Sequence, residues 1–525
     1  ETGPGPKDKI ELILSMPNRE VAEYLIGNGM TKWDLSRFFK NGVDSSEFRD
    51  TWLKTIYDVD GFVGNYKGRM ADLRPQGWVL FFIRQAKIIS SIGFLEVYLY
   101  CLNRSERSAT VSKISKDFLG YQEKFENKLS FIDEELKGMG THRLRKLSEM
   151  KELSEYKHWF EQAINRIEHT VSTKEGKDKI TSLDSGLLEQ SESLRLYIKT
   201  LTIDLGEEGE LPYDDFFDLY NRAKTFERKE FLRTRFINSF GQNSELKRRF
   251  LECTIQACEL YQARQVHCNY EGARSYRDML YGVSASAVDN LIQTMVESGY
   301  PLMHEYFKVR ESLMVGLNML PADTKMDETH LSLDIADVTE GEGMNPTAGL
   351  THILDASGNF DPEARDHVIK AFCEGRVDIG HNGAFNYSPH GDGPGFNLIS
   401  LRNLNRLSGV YSGMHELGHD RHFGLSAKLP RQFYYPTLSI AELASQFNEL
   451  LLFDTLRESS HDVMSELNIL DSLIRELNIS LFRCNANART QQAVYDKFSE
   501  VNNKKPLSIE DLESKFCGRR EKIAN

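Results

Sequence analysis

From about Ile10 to Leu201 apolar residues recur at three- and four-residue steps with few Gly or Pro between them, the spacing of one helical face. The stretch Phe125–Thr170 shows it best, with Leu129, Ile132, Leu136, Met150, Leu153, Trp159, Ile164 and Ile167 set among charges that read as solvated faces. Long antiparallel helical hairpins are the simplest architecture for such a run. Asp204–Tyr213, DLGEEGELPY, then reads as a linker. It separates an N-terminal helical domain, 1–203, from a second domain, 204–525. Helices resume at Asp214–Asn221, Lys229–Ser239, Ser244–Gln265 and Asp289–Val309. Asp361-Pro362 marks another start, with Asp as cap and Pro in the first turn.

The texture changes at Arg376–Asn405, which is rich in Gly, Asn, His and Pro. Alternation at Ala384–Tyr387 and Gly395–Leu401 predicts strands of a small irregular sheet beside the helical body. HGDGPG within this stretch lacks the GKS/GKT ending and the GxGxxG spacing, so it is not a phosphate loop.

Composition narrows the partners. The chain has 525 residues, 40% of them hydrophobic and 27% charged, and a net charge of −13. Without a basic stripe, that acidity argues against nucleic acid. The most apolar run, Trp78–Ile83, is broken by Arg84 and is far short of the ~20 residues of a membrane span. Seven cysteines without a CxxC pair fit reduced thiols, and so a cytoplasmic protein, with secretion as the alternative. Sequons at Asn103, Asn386 and Asn478 weigh little, and the opening ETGPGP is read as a processed or added end.

The chemistry concentrates in Tyr411–Leu425, YSGMHELGHDRHFGL. His415, Glu416 and His419 form HExxH, in which two imidazoles one helical turn apart reach one tetrahedral ion. Glu416 can then act as general base toward a water that the metal activates. Gly424 is placed to end the helix, and Gly418, unfavourable in a helix interior, points to close packing. HExxH is short enough to arise by chance, so a third ligand has to decide.

Ser439–Phe453, SIAELASQFNELLLF, supplies candidates. Ile440, Leu443, Ala444, Phe447 and Leu451 fall on one helical stripe, and Glu442 and Glu449 lie two turns apart on a common face. Ser439-x-x-Glu442 is also a capping box, in which Glu442 folds back onto the N-cap amide and ligates nothing. The residues alone leave the two roles of Glu442 level. Glu449 stands as a reserve ligand or as a carboxylate orienting a ligand histidine.

HELGHDRH followed by ELASQFNE resembles the oligopeptidase family of zinc metallopeptidases, the thimet oligopeptidase or M3 family, which carry HExGHxxH and then E-x-x-S-Q-x-x-E. WDLS at Trp33–Ser36 and Gly383-Ala384-Phe385 look like signatures of the oligoendopeptidase F branch, and the resemblance runs from about Trp33 to Gly518. It implies one Zn2+ per chain held by His415, His419 and Glu442, with Glu416 as base and proton shuttle. Glu449 and His422 take supporting roles, His422 as a packing or hydrogen-bonding histidine rather than a ligand. The implied fold is mainly α, a two-lobed helical body around a deep channel that admits only short peptides. A small sheet lies near the active site, and its strand through Gly383, Ala384 and Phe385 pairs with substrate.

Two departures accompany the resemblance. Relatives continue into a Gly- and Tyr-rich segment whose His and Tyr donate to the tetrahedral intermediate, and no counterpart follows Leu507 before the ending KFCGRREKIAN. A donor of that kind is worth about 3–4 kcal/mol. Tyr434 and Tyr435 read as loop aromatics before substitutes for it. GHNGAF also lacks the basic turn that often precedes the strand in relatives. The expectation is a zinc endopeptidase for oligopeptides. The alternative is a catalytically weak or inactive peptide-binding protein that keeps the zinc site.

Overall fold

Helices dominate because most of the chain repeats at the helical period, and the caps lie where short polar side chains permit. Asp361 accepts from the Glu363 N–H at 3.0 Å, with Pro362 opening helix Pro362–Cys373. The computed structural model describes residues 6–106, 108–169, 171, 173–223, 225–268, 270, 283–322, 344–380, 383–388, 397–430, 433–501 and 508–511. The opening residues, the HGDGPG piece and the ending KFCGRREKIAN lie outside the described residues.

The chain divides into two compact units, each built from separate stretches: 1–168 with 342–462, and 169–341 with 463–525. The boundary expected at 203/204 falls inside the second unit. Asp204–Tyr213 is not a linker there. It belongs largely to a two-stranded antiparallel hairpin, β1 Thr202–Asp204 and β2 Glu210–Pro212. Gly206 and Gly209 supply its turn at φ 71° and 89°, a conformation that costs glycine little. Ile203 and Leu205 anchor the hairpin by packing with Phe216 and Leu232. Acidic, Gly-containing composition thus marked a turn rather than a tether. Helices Lys174–Lys199 and Ser244–His267 pair in this unit although the β-hairpin and two further helices lie between them in the chain.

In the first unit the run 125–170 is broken into helices Ala109–Leu129, Phe131–Met139, Thr141–Ser148 and Lys157–Glu168, with Gly140 at φ 77° turning one break. Helix Pro75–Ser105 is long and apolar enough to cross a membrane by length and composition. Its Trp78, Phe81 and Phe82 are fully buried against Trp159 and Phe160, the environment of a core helix. Further along, Leu95, Tyr98 and Leu99 join Phe38, Phe39 and Phe48 in a second core, onto which Trp33, Phe385 and Tyr387 pack.

That second core carries the sheet. β3 Val377–Ile379, β4 Phe385–Tyr387 and β5 Leu398–Leu401 lie in the order β3-β5-β4, with β3 parallel and β4 antiparallel to β5. β3 was not expected from the sequence. Trp33 donates from Nε1 to the Ile399 carbonyl at 2.9 Å, and the Asp34 N–H donates to the Gly375 carbonyl at 2.8 Å. The WDLS segment is therefore a brace for the sheet.

Candidate metal centre

Helix Leu407–Ser426 carries HELGHDRH. Gly424 does not end it: the helix runs on through Ser426, and Ala427 follows as the cap. Helix Leu438–Ser459 carries ELASQFNE and crosses the first at close range. Gly418 allows that approach. A Cβ there would stand 2.8 Å from the Ser445 Cα and 2.9 Å from the Ala444 carbonyl oxygen. Both are atoms with no side-chain freedom to retreat. Asn448 adds a polar tie, Nδ2 donating to the Met414 carbonyl at 3.3 Å.

The close crossing decides which face of the second helix packs. Small and polar residues face the first helix, and Ser445 is fully buried. Ile440, Leu443 and Phe447, the stripe that periodicity suggests for the core, are exposed. Thr437, not Ser439, is the N-cap, so Glu442 lies beyond the capping-box position. The Glu442 carboxylate turns toward the histidines instead of back onto the start of its own helix. Glu442 Oε2 lies 3.2 Å from His415 Nε2 and 3.7 Å from His419 Nε2, and Ser445 Oγ donates to the same oxygen at 3.0 Å.

One ligand-capable atom from each of His415, His419 and Glu442 falls within 4.8 Å of the others. Two imidazole nitrogens and a carboxylate oxygen are the donor set of a three-ligand zinc site. The local charge agrees with a cation there. Burial works to lower the His415 imidazole, but Glu442 and Glu449 at its two ring nitrogens override it and hold it up to about 10. Burial lowers His419 to about 4, against Glu442, so its ring is neutral at pH 7 with a lone pair to give. Glu449 Oε1 lies 2.5 Å from His415 Nδ1, the arrangement of a carboxylate that fixes a ligand histidine's tautomer.

Glu416 is 8% exposed. Burial, helped by Glu442, pushes its carboxyl up to about 7, against His415, the Asn386 main-chain N–H and Arg402. His422 is not one of the converging groups, and burial lowers its imidazole. The Phe385 ring lies against Trp33, Tyr100 and the Arg104 guanidinium, so its side chain serves the core. The Gly383 carbonyl accepts from Ser400 Oγ at 3.0 Å. Ala384 directly precedes β4, the edge strand of its sheet. The Tyr434 hydroxyl meets Ser388 and Asn397, while that of Tyr435 donates to the Ser388 carbonyl, as befits structural loop aromatics.

Sequence reasoning missed two supports. Asn386 reads in the sequence as a sequon within a strand, with no sign of a tie to the motif helix; its Nδ2 donates to the Glu416 carbonyl at 3.2 Å. Asp420, fully buried beside His419, accepts from Arg376 Nη1 at 2.8 and 2.9 Å and from Asn397 Nδ2 at 3.0 Å, with His367 Nε2 at 2.6 Å. Burial would raise its carboxyl, yet Arg376 and His367 hold it below the ordinary carboxylate range. An acid inside a motif helix was the only available signal.

Gly418→Ala tests the crossing. The helix-propensity gain of up to about 1 kcal/mol opposes an overpacking cost of about 1–3 kcal/mol against main-chain atoms, so the cost wins. A lower Tm is expected. An unchanged Tm would mean that the two helices separate freely.

No protein-family model matches the chain. It is 24% identical over 509 residues to Group B oligopeptidase PepB of Streptococcus agalactiae, covering 93% of this chain and 80% of that protein. It is 21% identical over 495 residues to oligopeptidase PepF of Bacillus subtilis, covering 89% and 70%. Among solved structures, oligoendopeptidase-F from Enterococcus faecium superposes with a TM-score of 0.58 at 16% identity, covering 90% of this chain and 79% of that one. A Chlamydophila abortus structure whose peptidase assignment is provisional gives a TM-score of 0.70 at 17% identity, covering 93% and 82%.

Proposed function

We propose that this chain, which is oligoendopeptidase F-like in sequence and fold, is a zinc-dependent endopeptidase acting on short peptides. Peptide hydrolysis is supported by the oligopeptidase relatives. The zinc chemistry rests on one observation, the convergence of His415, His419 and Glu442 beside a buried Glu416.

His415, His419 and Glu442 would hold the ion. A zinc ion there would supply Lewis-acid chemistry, polarising a peptide carbonyl and acidifying a water. Glu449 holds the His415 ring so that Nε2 stays on the side of Glu442. Glu416 takes the proton from the attacking water on a carboxylate oxygen and passes it to the departing amine nitrogen. In the metal-free protein burial raises its carboxyl, toward the range suited to passing a proton near neutral pH. β4, as an edge strand, offers main-chain groups to an extended peptide.

Metal analysis with an internally quenched peptide library tests the reading. The wild-type protein is expected to hold about one zinc per chain and to cleave within the peptides, and His415→Ala to lose both properties. A wild-type protein that binds no zinc ends the proposal. Zinc without turnover would make it a peptide-binding zinc protein instead.

A further inference from the structure

Asn386 is a costly choice for its position. Asn is disfavoured in strands, yet it occupies the middle of β4, opposite Ile399 on β5. Its amide orientation follows from its partner, since a carbonyl oxygen can only accept, so Nδ2 must face the Glu416 carbonyl. Oδ1 is then buried without a hydrogen-bond partner among the described residues. An unsatisfied buried acceptor is destabilising, and an apolar side chain of the same shape would remove the penalty. Stability therefore does not account for this residue. What Asn386 does hold is Glu416: its side chain binds the Glu416 main-chain oxygen at 3.2 Å. The strand is itself fixed to the core through Phe385, and Tyr387 donates to Glu96 at 2.9 Å.

We infer that Asn386 is a positioning residue: it ties the edge strand to Glu416 and so registers the base against a substrate lying along β4. The inference rests on Glu416 acting as the base.

The test is Asn386→Leu, close in shape but without the donor, in wild-type and Glu416→Gln backgrounds. Zinc content, Tm and steady-state kinetics on a quenched peptide are read together. The inference expects kcat to fall about 10- to 100-fold, with KM within about twofold, zinc content unchanged and Tm equal or higher. In the Glu416→Gln background the same change should cost less than about threefold, because the residue it positions is already gone. An unchanged kcat, a loss that tracks lost zinc or lost Tm, or an equal factor in both backgrounds overturns the inference. A wild-type protein that binds zinc but cleaves no peptide fails the endopeptidase reading instead, a result separate from any effect of Asn386.

Discussion

Glu416→Gln is expected to cut peptide turnover about 10³-fold while leaving the zinc in place. The substitution keeps volume and hydrogen-bonding shape but removes the proton acceptor, and a positioned general acid–base contributes about 10²–10⁴ in rate. A fall in kcat of about 10³ is the central expectation, with zinc retained because the converging atoms belong to His415, His419 and Glu442. The stability signature runs the other way. Burial raises the folded-state carboxyl from 4.5 to about 7, so the folded protein holds this proton more tightly than the unfolded chain does. The Glu416 contribution is therefore fully favourable below about pH 4.5 and is lost as pH rises through about 7. In the zinc-free protein at pH 7, glutamine should leave Tm equal or higher and remove that part of the pH dependence. Loss of turnover together with lost zinc or a lower Tm would point to a folding defect and sink the role given to Glu416.

Asp420→Ala is expected to cause the largest loss of stability among single changes near the site. Asp420 is fully buried and Arg376 is 2% exposed; removal leaves the guanidinium underground with Glu374, 2.8 Å from Nε, as its remaining carboxylate. Breaking a buried pair from one side costs about 3–5 kcal/mol, against at most about 1 kcal/mol for an exposed pair. For a unit of this size that corresponds to a fall in Tm of roughly 10 °C, measurable by thermal denaturation. Because Asp420 follows His419 directly, weaker zinc binding should accompany it. A Tm within about 2 °C of wild type would show that Arg376 finds another partner or reaches water.

Most helices were legible because their signals are local. Ser244–His267 and Pro362–Cys373 announced themselves through periodicity and caps. The hairpin at Thr202–Pro212 was not legible, since Gly and acidic residues mark a turn and a linker alike. Strand β3 was missed because three residues beside a helix end carry too little alternation to be seen. The stripe on Leu438–Ser459 misled for a different reason. Periodicity locates an apolar face but not the neighbour, and here the neighbour comes so close that Gly418 has no room for a Cβ against Ser445 and Ala444.

The sequence by itself determined the helical character of the chain and the pairing of His415 with His419, one turn apart on one face of one helix, with Glu416 following His415. Those relations hold within a few residues, where backbone geometry dictates distance. Only the tertiary structure decided that Glu442 faces the histidines instead of capping its own helix, that Glu449 sits on His415 Nδ1, and that Asn386 and Asp420 secure the motif from other elements. Each of these depends on where a distant segment lands. Here that is set by the missing Cβ of Gly418 and by the cores beneath β4, which no local pattern encodes.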